Sequence, residues 1–244
     1  MTVLLALDSS TESMALALIT PAERLLHEGE GGAKASAQMV PAALALLARA
    51  GLQLADVDAI AYGQGPGAFT GLRTACAVAQ GLALGAGKPV LAIDSLMQVA
   101  EDARQQAACA GTVLGDAVWV AMDARMNEIY AAAYRWQDGR WLPLVAPALY
   151  GADSLNACWA DTNSLPPTAV AGSALAVFAD ALQTGNASRW PETRSRAAAL
   201  AELSQQAWDA GALRDAAEAM PVYVRDKVAF TTAERLAARA SSSS

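Results

Sequence analysis

Histidine is almost missing from this chain. His27 is the only one in 244 residues, so a metal centre built on two histidines is excluded. A Ser/His/Asp relay has no other base to use, and no H-E-x-x-H motif occurs. His27 stands between Leu26 and Glu28 and reads as a half-exposed strand residue. Cysteine is also scarce. Cys76, Cys109 and Cys158 lie far apart with no CxxC spacing, which fits small apolar core residues or idle thiols better than ligands. No structural or catalytic metal is therefore expected. No apolar run reaches the roughly 18 residues of a membrane span. The N-terminus lacks a basic region and soon meets Asp8, so neither a signal peptide nor a membrane anchor is expected, and the cytoplasm is the default location. Basic charge is thin too. There are 17 Lys+Arg against 24 Asp+Glu, a formal net charge of −7 with no Lys/Arg run. Phosphate neutralisation is the main source of sequence-independent nucleic-acid affinity, so such a chain is a poor nucleic-acid ligand by itself.

What the chain does have is apolar material: 54% hydrophobic residues against 17% charged, with much of the excess as alanine. That supports a sizeable core and closely packed helices. The length fits two modest lobes. Residues 3–7, 14–19 and 24–30 read as three strands joined by short turns, which suits antiparallel neighbours. A helix is expected over 36–50, with Val40, Leu44 and Leu47 on its buried face, Pro41 in its first turn and Gly51 as its stop. A strand over 59–62, a glycine-rich loop over 63–71, a helix over 72–86 capped by Thr70, and a strand over 90–93 follow. Ser95 is placed to cap a third helix ending near residue 108. A second set is weaker: a hairpin over 117–122 and 128–134, a strand over 141–149, a short strand over 169–171, helices over 173–182 and 197–210, and an extended piece over 221–224. This points to a duplicated α/β unit divided as 1–108, 109–220 and a C-terminal segment 221–244 ending in a polar tail. The order matches the actin-like ATPase architecture.

Three motifs carry the functional reading. Asp8-Ser9-Ser10-Thr11 ends the first strand, where an acid and small hydroxyls can meet phosphate; the same residues also make an ordinary turn that satisfies its own backbone. The segment Gly63-Gln64-Gly65-Pro66-Gly67-Ala68-Phe69-Thr70-Gly71 has neither the dinucleotide nor the P-loop spacing, and Pro66 removes an N–H from any anion cradle. Its glycines read as a tightly shaped turn. On the helix that follows, Leu72, Ala75, Val78, Ala79 and Leu82 form one apolar face, while Arg73, Ala77, Gly81 and Leu84 form a second face that is also small or apolar. A helix apolar nearly all round is covered on both sides. The first helix has the same character, with Ala42, Ala45 and Ala48 opposite its leucines.

The wording of residues 61–73, continuing through Gln80-Gly81-Leu82-Ala83, closely resembles the hallmark of the TsaB family, also called YeaZ. Asp123-Ala124-Arg125-Met126-Asn127-Glu128-Ile129-Tyr130 resembles that family's second-lobe hairpin, and Pro221-Val222-Tyr223-Val224-Arg225 its C-terminal signature. The opening residues 5–12 and the run Ile93-Asp94-Ser95-Leu96-Met97 agree as well. The resemblance covers nearly the whole chain outside residues 153–196 and the tail.

It implies a two-lobe actin-like (ASKHA, ribonuclease H-like) α/β fold with a degraded second lobe. It implies a non-catalytic scaffold or activator in bacterial tRNA threonylcarbamoyladenosine (t6A) modification, pairing with TsaD, which carries the active site, and joined by the ATPase TsaE. A homodimer is implied where TsaD is absent, with tRNA met only through the complex. No cofactor is expected in the isolated chain, and ATP or ADP only at the level of the complex. The resemblance assigns pairing to the first two helices, hence to Ala42, Ala45, Arg73, Ala77, Gln80, Gly81 and Leu84, and leaves Asp8, Ser9, Ser10 and Thr11 as a vestigial phosphate loop. One departure is Ala35, where many family members carry histidine before the first helix. Two alternatives stand beside this reading. One is a small-molecule kinase of the same fold, which needs a second phosphate loop for which Ala171-Gly172-Ser173 is the faint candidate. The other is a stand-alone homodimeric regulator. From charge alone, an anisotropy titration of the isolated chain with tRNA at physiological salt is expected to give no sub-micromolar, salt-sensitive binding.

Overall fold

Leu4, Leu5, Ala6 and Leu7 are all fully buried, which requires their strand to be covered on both faces. The computed structural model describes residues 2–115, 117–161 and 165–225. The expected C-terminal tail at 241–244 lies outside them. In the first lobe, β1 (Leu4–Asp8) pairs antiparallel with β2 (Ser13–Ile19), and β2 with β3 (Arg24–Glu30). Helix α1 (Ala35–Arg49) leads to β4 (Ala59–Gly65), parallel to β1. Helix α2 (Phe69–Ala86) leads to β5 (Val90–Asp94), parallel to β4, and α3 (Ser95–Cys109) follows.

The second lobe repeats the plan. Strands β6 (Val118–Asp123), β7 (Ile129–Gln137) and β8 (Arg140–Tyr150) form an antiparallel meander. Helix α4 (Ala152–Ala160), β9 (Ala169–Ala171), α5 (Ala174–Val177), β10 (Ser188–Trp190) and α6 (Arg196–Asp209) complete it. A last short strand, β11 (Leu213–Arg214), closes the edge of the first sheet beside β5. The sheet orders, β11-β5-β4-β1-β2-β3 and β10-β9-β6-β7-β8, superimpose strand for strand apart from β11. This is the duplicated actin-like architecture expected from the sequence. The second copy is the reduced one: α2 has 18 residues and its counterpart α5 has four.

The pleat separates two cores. Leu5, Leu7, Leu16, Leu18, Ile60 and Tyr62 pack with Met39, Leu46, Leu47, Ala75 and Ala79 of α1 and α2. Leu4, Ala6, Ala17, Ala61 and Leu91 pack on α3 and α6, and α3 also meets β6 and β7 of the second sheet, whose Val118, Val120, Ala132 and Tyr134 join the same core. Helices α3 and α6 thus fill the space between the sheets. The outer face of the second sheet is closed by Trp119, Ile129, Leu155, Trp159 and Leu175. The expected division at 109 and 220 assigns α6 and β11 to the second lobe, whereas in space α6 lies against β1, β2, β3 and β5 and β11 joins the first sheet.

Several local expectations are corrected. Pro41 sits inside α1, past the first turn of a helix that starts at Ala35 after a 3-10 turn (Gly32–Lys34). The buried face of α1 is Ala35, Met39, Ala43, Leu46 and Leu47, while Leu44 is 49% exposed. The α2 helix starts at Phe69 with Ala68 as its cap, so Thr70 lies inside it; the Ala68 N–H is tied to the Ser10 carbonyl at 2.7 Å. Asp94, rather than Ser95, caps α3, accepting from the Leu96 and Met97 N–H groups. The helix expected over 173–182 shortens to α5, and α4, β10 and β11 carried too little periodicity to be read. His27 is half-buried on β3, as expected. Among the described residues no helix is long and apolar enough to cross a membrane.

Two glycines separate fold from surface. A Cβ at Gly71 would stand 1.7 Å from the Ser9 carbonyl oxygen, whereas one at Gly81 would meet nothing within 4 Å among the described residues. Gly71→Ala is expected to cost about 3 kcal/mol by overpacking. Gly81→Ala should gain up to about 1 kcal/mol from helix propensity. Urea unfolding of both variants measures the difference.

Candidate functional site: the interlobe cleft and the outer helices

The ends of β1 and β6 face each other across a cleft of about 560 Å³. One wall is Ser10 to Ser13 with Pro66, Ala68, Phe69 and Leu72; the other is Met122 to Arg125 with Tyr130, Ser173 and Val177; Val222 to Arg225 cross between them. In an actin-like fold this is where phosphate and metal are met, so the state of the two strand-end acids decides what the cleft can do.

Asp8 is fully buried. Its Oδ1 accepts from the Ser10 N–H at 2.9 Å and from Ser10 Oγ at 2.8 Å. Its Oδ2 accepts from Ser95 Oγ at 3.1 Å and Gln98 Nε2 at 2.9 Å. Arg196, 5% exposed, completes the shell, with Nη2 3.2 Å from Asp8 Oδ1 and 2.9 Å from Ser10 Oγ. Burial by itself raises the Asp8 pKa. The adjacent guanidinium and the hydrogen bonds from Ser10 and Gln98 outweigh it and hold the carboxyl below its ordinary value. Ser9 Oγ is spent on the Gly71 carbonyl at 2.8 Å, and Thr11 Oγ1 turns back to the Ser13 carbonyl. The glycine loop closes over this turn: a Cβ at Gly63 would fall 1.6 Å from Asp8 Oδ2, and one at Gly67 2.3 Å from the Ser10 carbonyl. The loop is a lid on Asp8, in keeping with the shaped turn read from its glycines.

Across the cleft Asp123 has a more open setting, with the Arg125 side chain 69% exposed. Its Oδ1 accepts from the Arg125 N–H at 2.9 Å, and the Arg125 guanidinium lies 3.3 Å from Oδ2 and also reaches Glu12 of the first lobe. Ser173, in the faint second-loop candidate, accepts from the Asp123 N–H at 3.1 Å. Both acids at the cleft floor are therefore answered by arginines of the same chain. Among the described residues no group of three or more His, Cys, Asp or Glu side chains is arranged to hold a metal ion. Arg196 and Gln98 escaped the sequence reading, and Ser95 was read there as a helix cap, because an arginine opening an alanine-rich helix carries no local sign of its destination.

The helix residues fall elsewhere. Arg73, Ala77, Gly81 and Leu84 are all exposed on α2, and Ala45 is exposed on α1 with Ala42 half-buried beside it. Leu84 is 57% exposed. Gln80 is half-buried, and its Nε2 donates to the Ala216 carbonyl at 3.0 Å. These residues form an outer face, mostly of small and apolar side chains, outside the cleft lining, with Arg73 at its border against the cleft residues Phe69 and Tyr223.

A family model described as TsaD, tRNA N6-adenosine threonylcarbamoyltransferase, matches residues 23–224. A solved structure titled YeaZ from Pseudomonas aeruginosa is 32% identical, with a TM-score of 0.78 over 91% of this chain and 100% of that one. The chain belongs to the TsaB (YeaZ) family. Two curated relatives are named tRNA threonylcarbamoyladenosine biosynthesis protein TsaB. That of Haemophilus influenzae is 41% identical over 128 residues, 52% of this chain and 51% of its own. That of Escherichia coli is 36% identical over 139 residues, 57% of this chain and 58% of its own. The chain thus spans about half the length of these curated TsaB relatives, and the full-length likeness rests on the YeaZ structure.

The Asp8 shell in this TsaB-family chain is open to test. Asp8→Asn or Arg196→Met leaves its partner charged, buried and unpaired, and each is expected to cost about 3–5 kcal/mol at neutral pH. The folded pKa of Asp8 lies below the unfolded one. Its stabilising contribution is therefore complete above about pH 4 and is lost as pH falls below that value. Urea unfolding at pH 7 and pH 3 should show the gap between wild type and Asp8→Asn narrowing in acid.

Proposed function

We propose that this chain is a non-catalytic subunit of tRNA threonylcarbamoyladenosine biosynthesis, acting in the cytoplasm as scaffold and activator for TsaD and bringing in TsaE. The observation that carries the reading, beside family membership, is that the first strand-end acid, Asp8, is buried and held by Arg196 of the chain itself, while Asp123 of the second lobe has the exposed Arg125 guanidinium 3.3 Å away. A phosphoryl-transfer site needs such acids available to metal and phosphate, which weighs against the kinase alternative. ATP or ADP is accordingly assigned to the assembled complex and not to this chain.

Pairing is assigned to the outer face of α1 and α2, with TsaD as its partner and a second copy of the chain where TsaD is absent. Ala77 and Gly81 are four apart, stand one turn above the other and are exposed, so a partner helix can approach closely. The net charge of −7 supports tRNA contact through the partner. The diagnostic substitution is Ala77→Arg. It should keep the melting temperature of the isolated chain, because the position is exposed. It should weaken TsaD pairing by two decades or more, since a desolvated unpaired charge costs several kcal/mol, and fail to support tRNA modification in a reconstituted system. Normal pairing by Ala77→Arg would place the interface elsewhere.

A further inference from the structure

Arg73 is the one charged residue of α2, and Arg49 the one charged residue of α1; neither helix carries an Asp or Glu. In a chain with 24 acidic residues that leaves the outer face with cations alone. Arg73 is also held still. Its guanidinium carbon lies 3.8 Å from the Phe69 ring centroid and 5.9 Å from that of Tyr223. The two rings stand 5.0 Å apart, and Nε donates to Tyr223 Oη at 2.9 Å. Tyr223 is anchored in turn, because the Val222 N–H next to it donates to the Gln64 carbonyl at 2.6 Å. The remaining guanidinium nitrogens have no carboxylate within salt-bridge distance among the described residues, and the residue is exposed.

An arginine whose rotamer is already fixed loses little entropy on capture, and its planar fork matches a carboxylate in two parallel hydrogen bonds. We infer that Arg73 is a preorganised carboxylate receptor, and that it makes this face select a partner protein presenting an acidic side chain over a second copy of this chain. The inference rests on the assignment of α1 and α2 as the pairing face. A second copy brings α1 and α2 of its own, which offer no carboxylate, so self-pairing desolvates Arg73 without a counter-ion. Repulsion of the wrong partner is as much a source of specificity as attraction of the right one. Exposed Asp215 and Glu218 stand at the margin, in the turn whose Ala216 carbonyl accepts from Gln80.

The experiment measures pairing of the full chain with purified TsaD, and self-association of the chain, at low and high salt. For the wild type, TsaD pairing should weaken with salt. Arg73→Gln should weaken it about tenfold at low salt, the worth of one charged hydrogen-bonded contact, and flatten the salt dependence. The same variant should self-associate at least as tightly as wild type, and Glu218→Gln should leave self-association unchanged. Arg73→Lys keeps the charge but cannot stack and fork together, and should remain several-fold weaker toward TsaD; it serves equally if Arg73→Gln fails to fold. Wild-type pairing with TsaD by both Arg73 variants would overturn the inference. So would a loss of self-association matching the loss of TsaD pairing, or a loss of self-association in Glu218→Gln. Failure of the underlying assignment is separate, because it appears as normal pairing by Ala77→Arg.

Discussion

A guanidinium from residue 196 reaches a carboxylate at residue 8, inside the protein, with almost the whole chain between them. The pair is buried on both sides, and a buried ion pair holds only when its remaining hydrogen-bonding capacity is met. Here Ser10, Ser95 and Gln98 meet most of it, while the Arg196 Nε finds no partner among the described residues. The pair demands that α6 return from the second lobe and lie on β1. It demands that α3 stand where Ser95 and Gln98 can reach, and that the loop above carry no side chain at Gly63. Helices α3 and α6 are the same two that fill the space between the sheets. The seating of Arg196 and the docking of the lobes are therefore one arrangement.

The duplication places one acid at the floor of the cleft from each lobe. In each lobe the first strand ends in an acid, Asp8 or Asp123, and the fourth runs into glycine, the loop from Gly63 in the first lobe and Gly172 in the second. In the first lobe Arg196 occupies the acid. In the second, Arg125 does so from a turn whose residues Arg125, Met126 and Asn127 all have positive φ. Left-handed backbone is uncommon for residues other than glycine. The turn is stabilised from outside: Arg225 reaches the Ala124 carbonyl at 3.0 Å and the Glu128 carboxylate at 2.5 Å. The C-terminal signature thus has a structural duty in the second lobe, besides presenting Tyr223 to Arg73 in the first.

The outer face follows from a different property. Alanine and glycine on α1 and α2 contribute little to the lobe core on their outward sides, and the open space at Gly81 and Gly85 shows that nothing within the described chain requires glycine there. A helix interior loses stability to each such residue, which is consistent with close approach by another surface. Reduction of α5 to one turn removes the equivalent face from the second lobe.

The strands of the first lobe were legible because their local signals agree: continuous apolar runs bounded by polar turns, with Gly51 and Gly87 stopping α1 and α2 in left-handed conformations. The family was legible in three ordered motifs. Helical spacing grouped Arg73, Ala77, Gly81 and Leu84 on one face of α2, but only the fold decided that the chain leaves this face exposed. The buried face of α1 did not, because leucines surround that helix and only the sheet beneath it chooses between Leu44 and Leu46. Short elements such as β10, β11 and α5 carry too few residues for any period to show, and they exist because neighbouring strands and helices leave them a place. The fate of Asp8 was beyond the sequence for the same kind of reason. Its turn reads equally as a phosphate loop or as a closed turn, and the choice is made by an arginine 188 positions away, brought there only when the two lobes pack around α3 and α6.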